Sequence, residues 1–333
     1  MIAHAVPPWI EHQLQSLLMQ RGHAWLLQGP SGLGQYTLAL ALARAWLCDH
    51  PSPQGACGRC ASCHAIDVRT HADLCVLMPE TQMMALDWPL SEKAQAEIDD
   101  KKRKPSKEIR VEAMRDAVEF SQRTNARGKG KVMLVFPAEQ MNQFTASALL
   151  KTLEEPPGDI KFILASESAH QLLPTIRSRC IGHTMVWPDA VQATAWLEKS
   201  GMAVQESAFF LNAAGGRPED AFKYQQAGLT AKEWSGFPQA MARGNVAYVK
   251  DWTPVQLLDA LQKLCHDVLV HHFSAPCRFF AAADLPQHSH LGAITQWSKA
   301  LLLSARTVEH PFNSGLMQEA LVGQAQSALN SRQ

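Results

Sequence analysis

The first 187 residues alternate short apolar runs with amphipathic segments, a pattern typical of a parallel α/β sheet. Glycine or polar residues bound the apolar runs, which predict buried strands at 24–28, 76–78, 131–136 and 161–165. Helical periodicity between these runs predicts right-handed crossover helices. The segment 79–107 interrupts the pattern with three prolines and mostly polar residues, so we expect a long, partly helical insertion there.

Strand-like runs stop near Pro188, and helical periodicity continues to the end of the chain. We therefore predict three domains: an α/β P-loop-like domain at 1–187, a small helical lid at 188–228 and an all-α C-terminal domain at 229–333. The last domain should contain four or five longer helices. One of these helices should bury a face formed by Leu257, Leu258, Leu261, Leu264 and Val268.

Charge and composition narrow the class of protein. The 333 residues carry 31 Lys and Arg and 31 Asp and Glu, and the resulting zero net charge excludes nucleic-acid binding by bulk charge. No apolar run reaches the roughly 18 residues of a membrane span, and we find no signal peptide. We expect a cytoplasmic protein with no membrane partner, in which eight cysteines favour metal ligation over disulfides.

Four of the cysteines follow each other closely after the second predicted helix. Two C-x2-C spacings with a fourth cysteine just upstream predict a structural zinc site with tetrahedral thiolate ligands. An iron–sulfur cluster or unrelated loop cysteines are the alternatives. His64 or His71 can substitute if one cysteine faces away. The predicted ligands are Cys48, Cys57, Cys60 and Cys63.

Residues 29–36 read GPSGLGQY and lie between a predicted strand and a predicted helix, where phosphate-binding loops occur. Gly29 and Gly34 match the pattern G-x-x-x-x-G-K-[ST]. Gln35 replaces the lysine that contacts the β- and γ-phosphates, and Tyr36 replaces the hydroxyl ligand of magnesium. The loop is therefore degenerate, and we expect that ATP does not bind tightly.

The strand at 131–136 ends in Phe136-Pro137, where a nucleotide hydrolase needs an aspartate for magnesium and a glutamate to orient water. Neither residue can hold a metal or move a proton. This second defect is independent of the first, and both indicate that the chain does not hydrolyse ATP.

Two basic features of the sequence can be interpreted either as ordinary surface residues or as contacts to phosphate groups. An arginine beyond a strand end, here Arg179 in Arg177-Ser178-Arg179-Cys180, is either a surface residue or an arginine finger that reaches a neighbour's phosphates. Thr175 is expected to cap the short helix that carries it. The run 101–104, Lys-Lys-Arg-Lys, is either a solvated loop or a nucleic-acid contact.

Several motifs together resemble one known family. The sequence ALLKTLEEPP at 148–157, the motif Ser178-Arg179-Cys180, the cysteine quartet and His71-Ala72-Asp73 are similar to the clamp-loader branch of the AAA+ proteins. Within that branch, the broken P-loop and the missing acidic pair resemble the delta-prime subunits of bacterial DNA polymerase III. The resemblance covers about residues 10–225.

The resemblance implies a subunit in a five-membered ring with the delta subunit and the tau or gamma ATPases, which loads the sliding clamp onto primed DNA. It implies that the chain has no catalysis of its own within the polymerase holoenzyme. Arg179, with Ser178, would face the ATP of the adjacent ATPase, and residues 229–333 would form an oligomerisation collar. An active lid supplies an arginine where this chain has Glu219, and Arg217 is shifted.

Two rival functions remain at the level of the sequence. One is a P-loop ATPase with an atypical nucleotide site, against which Gln35, Tyr36, Phe136 and Pro137 argue. The other is a zinc-dependent DNA-binding module, against which the zero net charge and the lack of a recognition-helix pattern argue.

Overall fold

The computed structural model of the chain describes residues 6–286, 289–308 and 313–331. The chain divides into two compact units, Met1–Pro188 and Asp189–Gln333. None of the helices in the described ranges is both long enough and apolar enough to cross a bilayer.

The first unit is built on a five-stranded parallel sheet with the strand order β2-β3-β4-β1-β5. The strands are β1 Ala24–Gln28, β2 Leu74–Leu77, β3 Lys131–Val135, β4 Ile160–Ser166 and β5 Ile181–Thr184. The parallel sheet followed by helices confirms the predicted α/β class with an α-helical C-terminal part. β3 and β4 are buried almost throughout, which explains why they are continuous apolar runs rather than alternating ones.

The edge strand β5 was not predicted. It pairs with β1 in parallel register, and all four of its residues are exposed or partly exposed. Its sequence contains Gly182 and His183, so it lacks the apolar run that a buried strand requires. Only the pairing with β1 identifies this segment as a strand.

Eight α-helices lie among the described residues of the first unit, one before β1 and the others between successive strands. They are α1 Pro8–Leu18, α2 Gln35–Leu47, α3 Ala61–Asp67, α4 Glu80–Ala85, α5 Glu92–Asp99, α6 Val111–Gln122, α7 Gln143–Glu154 and α8 Pro174–Arg177. One sheet face packs its apolar side chains, among them Leu26, Met133 and Phe162, against α6 and α7. Side chains alternate along a strand, so Trp25 of β1 lies on the other face, where it contacts Trp46 of α2.

The second unit is helical throughout its described residues. Its helices are α9 Ala190–Lys199, α10 Val204–Ala213, α11 Pro218–Gln226, α12 Ala231–Ala242, α13 Pro254–His272, α14 Leu291–Ala305 and α15 Ser314–Leu329. The apolar face predicted from Leu257 to Val268 lies on α13 and is buried. The unit contains two apolar clusters, one formed by α9 to α11 and a larger one that involves α12 to α15. The predicted boundary between lid and collar near 228 stays a prediction.

Candidate functional site

The degenerate loop connects β1 to α2, as the spacing predicts. Gly34 precedes the first residue of α2 with φ 94°, a left-handed conformation that favours glycine. At Gly29, an added Cβ would lie 2.9 Å from Cβ of Met185. The backbone conformation thus favours glycine at Gly34, and the close approach of Met185 favours glycine at Gly29. Their presence is explained by the fold without any bound phosphate.

The side chain of Gln35, at the lysine position, turns back into the loop. Its Nε2 donates hydrogen bonds to the carbonyl oxygens of Gly29 at 2.9 Å and Pro30 at 2.7 Å. Gln35 is almost fully buried, and the neighbouring Leu33 is fully buried. The carbonyl oxygen of Leu33 accepts a hydrogen bond from Nε1 of Trp9 at 3.2 Å. The loop therefore satisfies its own polar groups with side chains of this chain.

The positions that would hold magnesium carry two aromatic rings in contact. Tyr36 and Phe136 stack with ring centroids 5.5 Å apart. The hydroxyl of Tyr36 accepts a hydrogen bond from Nε1 of Trp88 at 2.6 Å, and the guanidinium of Arg69 lies 4.4 Å from the Trp88 ring centroid. Burial raises the pKa of Tyr36 despite this hydrogen bond, so the phenol is neutral at pH 7. A neutral, stacked phenol cannot replace a magnesium ligand.

Trp88 belongs to the insertion at 79–107, and the structure shows how this segment is held. The Glu80 carboxylate accepts hydrogen bonds from Nη1 and Nη2 of Arg103, at 2.5 and 2.8 Å, and from the backbone N–H of Ser106 at 2.8 Å. Nε of Arg110 lies 3.2 Å away from the same carboxylate. Burial acts to raise the pKa of Glu80, but these donors outweigh it and hold the pKa below its usual value. No motif or residue spacing in the sequence marks Glu80 or Trp88 as part of this arrangement.

The basic run at 101–104 is partly neutralised within the insertion. Arg103 pairs with Glu80 and also donates to Glu97 at 2.7 Å, and Lys102 pairs with Asp100 at 2.8 Å. Two of the four cations therefore have carboxylate partners from the same segment. This arrangement favours a structural role for Arg103, and a nucleic-acid contact by the run stays a prediction.

The four predicted cysteine ligands lie together. Cys48 directly follows α2, Cys57 lies in the loop, Cys60 is the N-cap of α3 and Cys63 lies in its first turn. Their sulfur atoms all lie within 4.8 Å of one another. The Sγ of Cys48 is 3.8 Å from both the Sγ of Cys60 and the Sγ of Cys63.

These distances can be compared with those that zinc requires. A tetrahedron with Zn–S bonds of about 2.3 Å places its sulfurs about 3.8 Å apart. Burial raises the pKa of Cys48 and raises that of Cys63 to about 12, whereas a hydrogen bond from the backbone N–H of Arg59 lowers that of Cys57 to about 6. Buried thiols this close need a cation before all four can ionise. The donor set thus fits a metal such as zinc, which Cys48, Cys57, Cys60 and Cys63 would hold.

Hydrogen bonds around the quartet fix the cysteine loop. The carboxylate of Asp49 accepts from the hydroxyl of Ser62 at 2.7 Å and from its backbone N–H at 3.2 Å, which lowers the pKa of Asp49 to about 2. His71, a possible substitute ligand at the level of the sequence, instead accepts at Nδ1 from the N–H of Asp73 at 3.1 Å. The carboxylate of Asp73 accepts from the N–H groups of Ala126 and Arg127.

Arg179 lies just before β5, two residues after α8. Its Nη1 donates to the carbonyl oxygen of Thr175 at 2.7 Å, and its Nη2 forms an ion pair with Oε1 of Glu154, the last residue of α7. The prediction that Thr175 caps α8 is wrong. Leu173 occupies the N-cap and Pro174 begins the helix, so Thr175 lies inside it and contributes its carbonyl instead. Proline at the first helical position needs no N–H partner there.

In the second unit, the turn before α11 holds its arginine locally. Nε of Arg217 donates to the carbonyl oxygen of Ala214 at 2.8 Å, and Nη1 lies 3.2 Å from a carboxylate oxygen of Asp220. Glu219 lies in the first turn of α11.

The sequence was compared with known families and proteins. The profile of the family described as "DNA polymerase III, delta subunit" matches residues 9–185. The chain is 39% identical to DNA polymerase III subunit delta' of Pseudomonas aeruginosa over 181 residues, which are 54% of this chain and 48% of that protein. It is 32% identical to subunit delta' of Escherichia coli over 205 residues, 60% of this chain and 54% of that protein.

A second type of DNA polymerase III subunit also matches. The chain is 32% identical over 176 residues to DNA polymerase III subunit tau of Salmonella typhimurium, 53% of this chain and 23% of that protein. The matched region spans about half the length of the two delta' relatives. More than half of the chain matches the family profile. The chain therefore belongs to this DNA polymerase III family, as a delta-prime type of subunit.

Proposed function

We propose that the chain is a clamp-loader subunit that neither binds ATP tightly nor hydrolyses it, and that it works in trans. In this proposal it assembles in the cytoplasm with tau or gamma ATPase subunits and a delta subunit. The complete ring then loads the sliding clamp on primed DNA. The family match and the tau-like relative support the choice of partners.

The observation that carries this proposal is the nucleotide loop, whose interior is filled by the chain's own side chains. Gln35 uses its amide on two loop carbonyls, and Tyr36 stacks on Phe136 where magnesium ligands belong. Binding ATP there would require breaking these contacts without a lysine or metal ligand in return. The same observation weighs against the alternative, a P-loop ATPase with an atypical site.

Arg179 supplies the function in trans. A subunit with a silent site can still complete a neighbour's site when it offers a fixed positive charge at a heterologous ring contact. A guanidinium suits this role because it stays charged and grips phosphate oxygens bidentately. Ser178 donates its hydroxyl to the carbonyl of Thr175 at 3.1 Å, which fixes the turn that presents Arg179.

Zinc has a structural role in this proposal. When bound, the metal would tie the cysteine loop to the end of α2, because Cys48 directly follows that helix. No DNA contact by this module is needed. A salt-dependent shift assay with primed DNA separates this role from that of a zinc-dependent DNA-binding module.

The first test is binding of ATP to the isolated chain by calorimetry. Each missing phosphate or magnesium contact is worth about 1.5–3 kcal/mol, so the loss of three weakens binding by roughly three to six decades. We expect no heat of binding at micromolar ATP and no hydrolysis. Micromolar affinity would favour the atypical ATPase and overturn this part of the proposal.

The second test reconstitutes the clamp loader with the Arg179→Ala subunit. One site of the ring loses its finger, so total DNA-stimulated ATPase should fall in part, and clamp loading, which needs the sites together, should fall further. Arg177→Ala is the matched control because Arg177 is an exposed arginine two residues away. Wild-type values for both activities, with the ring intact by gel filtration, would return Arg179 to a surface role.

A further inference from the structure

Arg179 is already engaged within its own subunit. Its Nη1 donates to the carbonyl of Thr175 at 2.7 Å, and its Nη2 pairs with the Glu154 carboxylate. The guanidinium therefore has its donors on acceptors of this chain, and its fork is not free to grip a phosphate. The Arg179 side chain is 33% exposed and that of Glu154 is 48% exposed, so a partner can reach both.

The position of Glu154 is unusual for a carboxylate. It is the last residue of α7, where the helix dipole favours cations and disfavours anions. A carboxylate there gains nothing from its own helix. Its one ion pair among the described residues is with Arg179. The carboxylate therefore contributes to the contact with Arg179 and not to the stability of α7.

We propose that Glu154 is a positioning residue, which holds Arg179 in the unassembled subunit and competes with the neighbouring nucleotide's phosphate for it. This inference rests on the proposed function of Arg179. An exposed ion pair shifts an equilibrium by at most about five-fold, whereas phosphate oxygens offer a bidentate, more highly charged acceptor. The exchange of Arg179 from Glu154 to phosphate is thus favourable, but competition by Glu154 raises the ATP concentration at which it occurs.

The contact itself is tested in the isolated chain, without any partner. Phenylglyoxal modifies accessible guanidinium groups, and mass spectrometry of the Arg179 peptide gives its rate. We expect Glu154→Gln to raise the rate of Arg179 modification about two- to five-fold. Glu155→Gln is the matched control because Glu155 is the adjacent exposed glutamate. An unchanged rate in Glu154→Gln, or an equal increase in Glu155→Gln, would overturn the holding contact.

The competition is tested in the reconstituted loader by titrating ATP. The difference between loaders with Arg179 and with Arg179→Ala isolates the one site that the finger serves, as in a double-mutant cycle. At that site, we expect Glu154→Gln to lower the half-saturating ATP concentration about two- to five-fold with an unchanged maximal rate. The effect should vanish when Arg179→Ala is also present.

The outcomes separate this inference from the proposed function. If Arg179→Ala leaves ATPase and clamp loading unchanged, the finger assignment fails, and the competition fails with it. If Arg179→Ala lowers them while Glu154→Gln leaves the half-saturating concentration unchanged or raises it, the finger stands and the competition is overturned. A lower maximal rate in Glu154→Gln would show that the carboxylate orients the finger for catalysis instead, which also contradicts competition.

Discussion

The loop at 29–36 and the cysteine quartet are both patterns of a ligand site, and they differ in what their polar atoms contact. In the loop, Gln35 donates to the carbonyls of Gly29 and Pro30, and the Tyr36 hydroxyl accepts from Trp88. In the quartet, the sulfurs converge on each other, with Cys48 at 3.8 Å from two of them. The polar groups of the loop are thus bound by other groups of the chain, whereas the cysteine sulfurs surround a common point at which a metal could bind.

This difference shows that a loop can have the backbone shape of a phosphate-binding site without the side chains that bind phosphate and magnesium. The turn from β1 into α2 keeps the glycines that its path requires, but side chains of the chain now fill the space. The cysteine loop has few apolar residues and cannot build a core of its own, so it depends on whatever joins its sulfurs. Removing the bound metal should therefore destabilise the cysteine loop, whereas the absence of nucleotide should not destabilise the loop at 29–36.

The largest expected effect is the loss of metal from the quartet. We expect one zinc per chain after purification without chelators, measured by elemental analysis. Cys60→Ser should lower the zinc content severely and speed amide exchange at 48–67, because binding of a structural zinc contributes about 10–16 kcal/mol of apparent free energy. The sheet face that packs against α6 and α7 should stay protected, since its apolar cluster includes no residue of this loop.

Cys277→Ser serves as the control for this experiment. Cys277 is a partly buried free thiol of the second unit, outside the quartet. Its replacement should leave one zinc per chain. A protein that contains no zinc, or one in which Cys60→Ser leaves amide exchange at 48–67 unchanged, would remove the contrast between the two regions.

A smaller effect is expected from opening the loop. Gln35→Ala removes a buried side chain, which leaves a small cavity and takes the donor from the carbonyls of Gly29 and Pro30, so it should lower the free energy of unfolding by about 2 kcal/mol. Urea unfolding measures this change, with Gln15→Ala on the exposed face of α1 as control. If Gln35→Ala is neutral, or if ATP stabilises the wild-type chain against urea, the loop is not closed by its own side chains.

Much of this arrangement could be predicted from the sequence, and the reasons are local. The strands β1, β3 and β4 are buried on both faces and so appear as continuous apolar runs. The cysteine quartet is visible because its ligands lie within 16 residues of each other, with spacings that metal sites use. The mismatches at Gln35 and Tyr36 stand out against a fixed motif.

The parts that could not be predicted depend on contacts between distant segments. Trp88 reaches Tyr36 from 52 residues away, and Glu80 joins Arg103 across 23 residues. No short-range spacing marks such pairs. The pair of Arg179 with Glu154 likewise joins the ends of α7 and α8, which only the packing of these helices brings together.

The smallest expected effect concerns the insertion that brings Trp88 over the loop. Glu80→Gln keeps the shape and one acceptor oxygen of the side chain, but it loses the charge that Arg103 and Arg110 face. The pKa of Glu80 is lower in the folded chain than in the unfolded one, so its charge stabilises the fold above the unfolded pKa of about 4.5. That contribution disappears as the pH falls through the lowered folded pKa. We expect Glu80→Gln to lower the free energy of unfolding by about 1 kcal/mol at pH 7, and the difference from wild type to shrink below about pH 4.

Urea unfolding at both pH values measures this difference. Glu92→Gln is the control because Glu92 is an exposed glutamate of the same insertion. Faster amide exchange around Trp88 in Glu80→Gln would show that the carboxylate holds the insertion on the loop, whereas a pH-independent difference would show that charge plays no part in it.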